Sequence, residues 1–405
     1  MNVLMLSPGY PPEMPQFARG LRAVGAHVIG MGDTPASGLS APAKEALADY
    51  HQVRGFADED AVVADAVAIA GRVRIGRVAC LWEPLLVVAA RIRERLGLPG
   101  MTVAETVPFR DKEAMKQVLD RAGIRTPRHA RADRVEQVLD AAERIGYPLI
   151  VKPIAGAGSK DTHRVNDRGE LDAVLRQVRH VREVSVEEFI EAEEFTFDTV
   201  CANGEIVFHN ICSYRPRPLL ARQLEWISPQ TVALRSPDVP YLAAGRRLGE
   251  AVLKAMHFRT GFTHMEWHLK ADGEAVFGEI AARPPGAFTV DIMNYASDID
   301  LFRGWAEAEV HGRFTQPIER RYNCASIFKR AQGQGRIQRI EGLGELMAEF
   351  GPHIVNVDLL PIGAQRRDWL QTLISDGMVV VRHPDLAMTI HMADRVGTDL
   401  RLVAG

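Results

Sequence analysis

Residues 147–160, YPLIVKPIAGAGSK, hold a dense group of side chains suited to chemistry. Leu149, Ile150 and Val151 form a short apolar, β-branched run that predicts a buried strand. Lys152 ends that run, and Pro153 stops the strand from continuing. Gly156 and Gly158 follow among small residues, then Ser159 and Lys160. Small residues let backbone N–H groups approach an anion, so the segment reads as a phosphate-gripping loop with a lysine on either side. It lacks the G-x-x-x-x-G-K-[ST] spacing of a Walker loop. A glycine-rich turn after a strand is also simply a turn, and its surroundings must decide.

A second group lies on one predicted hairpin. Residues 261–269, GFTHMEWHL, alternate as a strand, and Asp272-Gly273 turns the chain into a returning strand over 275–280. A period of two puts His264, Glu266 and His268 on one face. Glu279 lies near the end of the returning strand, so the hairpin can bring it to Glu266. Two histidines and a glutamate also suggest zinc, but this is not the helical HExxH spacing and no cysteine is close. Residues 184–198, VSVEEFIEAEEFTFD, are rich in carboxylates. Such a run is ordinarily a solvated face, yet the interleaved Phe189, Ile190, Phe195 and Phe197 argue that part of it packs and lines a site. Upstream, Asp111 is placed to cap a helix running to about residue 122 and stopped by Gly123. Lys112 then falls in the first turn, where a cation opposes the helix dipole. That local conflict suggests a functional lysine, with a solvent-facing one as the plain alternative. Arg215, Arg217 and Arg222 fall in a long polar connection over 213–230, of a kind that is functional or merely solvated.

The elements that position these groups begin with an alternation. Strands are predicted at 3–6, 27–31 and 78–81, and helices at 16–24, 61–70 and 85–96, which implies a parallel sheet in a small α/β domain. Glu83, just past the third strand, either lines a ligand pocket at the sheet's carboxyl edge or is a solvated carboxylate. Helices follow at 135–145, 170–178 and 242–256, with a hairpin turn at Asn203-Gly204. Residues 321–405 read as a last α/β segment. At 405 residues with 46% hydrophobic content, the chain is long enough for two to four domains. Forty-nine basic against fifty-two acidic residues give a net charge of −3, which offers no pull toward nucleic acid or an acidic membrane. Four cysteines without a CxxC pair suit a reduced compartment. The opening MNVLMLSPGY reads as a strand, not a signal peptide, and no apolar run reaches membrane-spanning length. The expectation is a soluble, cytoplasmic protein.

Taken in order, DK…MK before a helix, a strand ending in KP with its glycine loop, VEEFIEAEEFTFD, and a hairpin with two glutamates and an arginine resemble the ATP-grasp superfamily. The resemblance implies an α/β chain, α+β in the ATP-grasp part. An N-terminal parallel-sheet domain (1–107) would precede a two-lobed ATP-grasp domain (108–320, lid about 128–198), completed by a C-terminal segment (321–405). It implies that Lys112 and Lys152 contact ATP phosphates, and that Gly156, Gly158, Ser159 and Lys160 close over them. Glu187, Glu188, Phe189 and Ile190 would meet the adenine edge, and Glu194 the ribose hydroxyls. Glu266 and Glu279 would hold Mg²⁺, with Mn²⁺ as a substitute. Arg283 would steady the transferred phosphate or a substrate carboxylate, with Arg215 and Arg222 as further catalytic candidates. The family's Glu-x-Asn reads here as Glu279-Ile280-Ala281, so one expected metal ligand is missing. The activity implied is an ATP-dependent carboxylate–amine ligase joining small molecules, amino acids first, through an acyl phosphate with release of ADP and phosphate. A biotin-carboxylase-like or purine-pathway enzyme and a non-catalytic ATP-binding protein are the alternatives. The resemblance further implies neither nucleic acid nor membrane as partner, and allows a homodimer.

Overall fold

The computed structural model describes residues 1–154, 161–372 and 374–405. Its first layer is a parallel sheet of four strands in the order Asp49–Gln52, His27–Gly32, Asn2–Leu6, Arg77–Ala79. Helices Met14–Ala23, Ala41–Ala46 and Glu59–Ala70 connect these strands and Leu86–Leu96 follows the last, as the alternation of apolar strands and helices predicts. Leu86–Leu96 ends at Gly97, whose φ of 64° is the left-handed cap that a side chain would disfavour.

Two antiparallel sheets follow. The smaller runs His129–Ala132, Val184–Glu188, Leu149–Pro153, His163–Val165, backed by helices Val135–Ile145 and Arg168–Gln177. It ends at Glu188, and Glu193–Ala202 already belongs to the larger sheet. That larger sheet has nine strands and draws on distant parts of the chain. Ala275–Ala281 pairs with Gly261–Leu269, which pairs with Glu193–Ala202. Cys212–Arg215, Gln230–Ala233, Asn323–Phe328, Gly377–His383 and Ile354–Leu359 continue the order. Asn203 and Gly204 both take positive φ (55° and 95°) and close the expected hairpin.

Alternation sorts the large sheet's faces. Phe197, Met265 and Trp267 point one way, against the helix Ala243–Ala255. Gly245 and Gly249 make that contact possible, since a Cβ on either would run into the Trp267 or Phe197 ring. Phe262 and Val200 point the other way, into a cluster with Phe17, Phe302 and Trp305 that joins the N-terminal layer to the helix Leu301–His311. The connection over 213–230 is less irregular than expected, because Cys212–Arg215 and Gln230–Ala233 pair as strands and Pro218–Ala221 is a short helix. Among the described residues, no helix is long and apolar enough to cross a membrane.

Candidate functional site

Lysines from one side and carboxylates from the other meet where the two antiparallel sheets face each other. Lys112 opens the helix Lys112–Arg121, whose N-terminus Asp111 caps by accepting from the N–H groups of Glu113 and Ala114. Its Nζ lies 3.2 Å from Glu279 Oε2, so the predicted clash with the helix dipole is offset by a carboxylate. Lys152, near the end of Leu149–Pro153, lies 3.0 Å from Glu187 Oε2.

Glu187 is the buried centre of the lysine side. Lys116 Nζ donates to its other oxygen at 2.6 Å, and Ser185 Oγ at 2.8 Å. Burial works against the charge, but the two ammonium groups outweigh it and hold this carboxyl well below the carboxylate range. Burial likewise opposes charge on Lys152, and Glu187 and Glu279 overcome it to raise the lysine. Glu187 therefore spends its carboxylate on Lys116 and Lys152, and the expected contact between its side chain and an adenine edge does not fit. The cause is strand alternation, which turns the residue inward. Glu188 faces the opposite way, to Arg125 Nη2 at 3.2 Å and the Arg128 N–H at 3.1 Å. The N–H groups of Glu188 and Phe189 go to the carbonyls of Arg128 and Pro148, so neither is left to meet a base. Phe189 lies under the Arg164 guanidinium, 4.1 Å from its ring centre, and Ile190 gives its carbonyl to Arg217 Nη2 at 3.0 Å. Gly156, Gly158, Ser159 and Lys160 lie outside the described residues.

The carboxylate side is built on the hairpin Gly261–Leu269/Ala275–Ala281. Its register sets Glu266 directly opposite Glu279. Beyond that pair the register shifts, so that Trp267 meets Phe277 and Gly278 is the extra residue of a bulge. A Cβ on Gly278 would stand 2.8 Å from the Glu266 carbonyl oxygen, which is why glycine is needed here. Burial opposes ionisation of Glu279, but Lys112 and Lys152 bring its carboxyl down to about 2. Glu194, opposite His268 on the neighbouring strand, behaves the other way. Burial and the nearby Glu266 push it up to about 8, although Arg217 Nε lies 3.4 Å away. His268 is held neutral, down to about 3, by burial together with Arg217 and Lys152, and its buried Nδ1 has no hydrogen-bond partner among the described residues.

Two supports were not foreseen in the sequence. Asp198 accepts from Thr196 Oγ1 at 2.5 Å and contacts His264 Nδ1 at 2.6 Å, while His264 Nε2 lies 3.6 Å from Glu266 Oε1. Tyr214 donates to the same Glu266 oxygen at 3.4 Å. Glu83, the ambiguous carboxylate of the N-terminal layer, binds Arg283 Nε at 2.8 Å and also Arg110. Arg283 is thereby fixed within the cluster, and its charge helps hold Glu279 ionised.

The other two arginines assigned to catalysis sit elsewhere. Arg215 is bidentate to Asp394 (3.0 and 3.3 Å) and bonds Gln230, and Arg222 donates to the Leu370 carbonyl. Both tie the 213–230 segment to the C-terminal part of the chain, since strand Cys212–Arg215 points the Arg215 side chain that way. Arg217 is the arginine of this segment that enters the cluster. Sequence reasoning had named it without separating it from its neighbours, and it also missed Lys116. The signal for Lys116 was its position one helical turn after Lys112, which puts both on one face.

A divalent cation fits this donor set in part. Glu266 and Glu279 offer hard oxygens side by side, which suits Mg²⁺ that keeps waters and phosphate oxygens as its remaining ligands. The repulsion felt by Glu194 is that of carboxylates gathered without enough positive charge between them. Ala281 presents a methyl group across from His264 and supplies no ligand. Among the described residues no three His, Cys, Asp or Glu side chains converge as a complete metal cage.

Residues 111–194 match the family described as "Carbamoyl-phosphate synthase L chain, ATP binding domain", and residues 21–100 match "ATP-grasp N-terminal domain". The chain is 27% identical over 237 residues to an L-arginine-specific L-amino acid ligase of Bacillus subtilis, covering 55% of this chain and 56% of that protein. It is 25% identical over 287 residues to alanine–anticapsin ligase of Bacillus subtilis, covering 62% and 61%. The matches thus span little more than half of those relatives. The crystal structure of an L-amino acid ligase from Bacillus licheniformis superposes with a TM-score of 0.81 at 20% identity, over 100% of this chain and 98% of that one. Phosphoribosylglycinamide synthetase from Anaerococcus prevotii gives 0.72 at 15%, over 100% and 99%. Two antiparallel sheets facing across a lysine–carboxylate cleft, behind a parallel-sheet layer, define the ATP-grasp class of folds. Residues 21–100 and 111–194 thus match ATP-grasp models, and the chain has the fold of that class.

Proposed function

We propose that the chain is an ATP-dependent carboxylate–amine ligase, joining two small molecules, amino acids foremost, with release of ADP and phosphate. The observation that carries this reading is the convergence of Lys112, Lys152 and Arg283 on Glu279, directly opposite Glu266. A triphosphate needs cations about its phosphates before an anionic nucleophile can approach, and the lysines supply them. Mg²⁺, held by Glu266 and Glu279, would neutralise further phosphate charge when bound.

In this reading Lys112 and Lys152 exchange part of their contact with Glu279 and Glu187 for phosphate oxygens. Arg283 presents its guanidinium to the carboxylate substrate in bidentate fashion, held in orientation by Glu83. The substrate carboxylate oxygen attacks the γ-phosphorus and the bond to the ADP oxygen breaks, giving an acyl phosphate. The amine nitrogen then attacks the acyl carbon, phosphate leaves, and the amine loses a proton. Glu194, beside Arg217, is assigned to the ribose, and the segment 187–190 to the edge of the base through the Ile190 N–H next to Phe189. Residues 1–107, 108–320 and 321–405 are proposed as the domains, with the small sheet as the lid.

The test is release of ADP and phosphate with Mg²⁺ across amino acids supplied singly and in pairs, with Glu279→Gln as control. Turnover that needs two substrates and vanishes in the variant supports the ligase. Ala281 favours a second reading, an ATP-binding protein without turnover, which saturable ATP binding and silence across all pairs would support.

A further inference from the structure

A cleft of about 410 Å³ forms away from the lysine–carboxylate cluster and shares no residue with it. Four separate stretches meet there: 225–228, 329–334, Arg366 and 397–402. Its lining carries Lys329, Arg330, Arg366 and Arg401 against a single carboxylate, Glu225. Glu225 is already engaged by Arg366 Nη2 at 2.6 Å.

The remaining cations have neutral partners. Lys329 is buried and donates to Ser228 Oγ (2.8 Å) and to the carbonyls of Val396 (3.1 Å) and Gly397 (2.7 Å). Arg330 Nη1 donates to the carbonyls of Ala221 and Leu224, and its guanidinium lies 4.4 Å from the Trp369 ring centre. Among the described residues, no carboxylate lies within ion-pair distance of Lys329, Arg330 or Arg401. Arg366, also buried, has no hydrogen-bond acceptor for its Nε among the described residues, its ion pair with Asp376 spanning 3.9 Å. Burial of a charge without a directly bonded counter-charge is costly, and here it outweighs the more distant pull of Asp399 on Lys329 and of Glu225 on Arg330. It lowers Lys329 to about 8 and, with Arg222 adding repulsion, Arg330 to about 10. On the rim, the Trp226 indole is 79% exposed. Read as sequence, the tryptophans had no basic patch beside them, because these cations come from segments far apart in the chain.

We propose that this cleft binds a phosphate-bearing small molecule, its phosphate held by Arg330, Arg366 and Arg401 beside Trp226. The charge balance selects phosphate over a single carboxylate. Four cations against Glu225 and Asp376, both paired with Arg366, leave two positive charges, which a phosphate ester matches and a monocarboxylate does not. Guanidinium forks also pair phosphate oxygens two at a time. Trp226 offers a flat surface on which a base could rest.

The test is calorimetric titration of the full chain with inorganic pyrophosphate, without Mg²⁺ or ATP. Arg401 is exposed and its side chain makes no hydrogen bond among the described residues, so Arg401→Glu removes one cation at a position the fold does not lean on. Binding of pyrophosphate by this cleft is expected to weaken at least tenfold in Arg401→Glu and to persist in Lys152→Gln, which removes only what the other cleft contributes. Titration with AMP and with ribose 5-phosphate separates a nucleotide from a sugar phosphate, and Trp226→Ala should weaken AMP alone. No pyrophosphate binding, binding indifferent to Arg401→Glu, binding lost only in Lys152→Gln, or tighter binding of citrate would each overturn the proposal.

Discussion

Glu187 shows how much one side chain can decide. Its carboxylate neutralises two lysines that would otherwise repel each other in a buried space, and it aims Lys152 at the cleft. Glu187→Gln removes the carboxylate that bridges them, and leaving the buried Lys116 ammonium unpaired should cost about 3–5 kcal/mol in denaturant titration. The same residue sets an acid limb. Its folded carboxyl lies below the ordinary 4.5, so its stabilisation is complete above that pH and is lost as pH falls toward the lower folded value. Stability of the parent chain should therefore decline below pH 4.5, and the decline should be shallower in Glu187→Gln. Glu279→Gln addresses chemistry instead. It keeps the shape of the hairpin and removes a charge opposite Glu266, so turnover should drop at least ~100-fold with little change in melting temperature. Loss of stability comparable to that of Glu187→Gln would argue that Glu279 is structural.

Elements hold these residues through backbone details that differ in how plainly a sequence displays them. Alternation in GFTHMEWHL and the turn at Asp272-Gly273 were sufficient to pair Glu266 with Glu279, because side-chain period and turn chemistry are local. The bulge at Gly278 was not legible, although a glycine inside a strand is its usual mark. Nor could local pattern say that 213–230 ends in paired strands, or which of its arginines turns inward. That depends on Asp394, far along the chain, claiming Arg215. Lys116 escaped because a buried lysine looks like a surface lysine until its partner is in place. Gly278→Ala should force the Glu266 carbonyl aside and lower turnover together with stability, by about 1–3 kcal/mol. Gly245→Ala, under the Trp267 ring, should destabilise to a similar or greater degree in thermal melts while leaving the KM for ATP near its parent value.

Across the whole molecule, the parallel-sheet layer is joined to the cleft by chemistry as well as by packing. Glu83 comes from that layer and fixes Arg283, two hundred positions later, with Arg110 sharing the same carboxylate. Glu83→Gln should leave ATP binding unchanged and lower kcat/KM for the carboxylate substrate by about ten- to a hundredfold, as a misplaced positioning group does. Steady-state kinetics with each substrate varied in turn would separate this from general loss of fold. The α/β alternation that announced the layer contained no hint of this reach, since contact between distant segments leaves no periodicity in either.

The large sheet carries a further consequence, for how the chain can be divided. Gln230–Ala233 has Asn323–Phe328 as its outer neighbour, and that strand in turn pairs with Gly377–His383. A chain cut near residue 320 would lose all the strands on that side at once. It would leave an open row of unpaired N–H and C=O groups beside Val232, with the buried faces of its neighbours uncovered. Such an edge is a template for other chains. The fragment should therefore be recovered as aggregate, and supplying residues 321–405 as a separate chain during refolding should restore it to solution by completing the sheet.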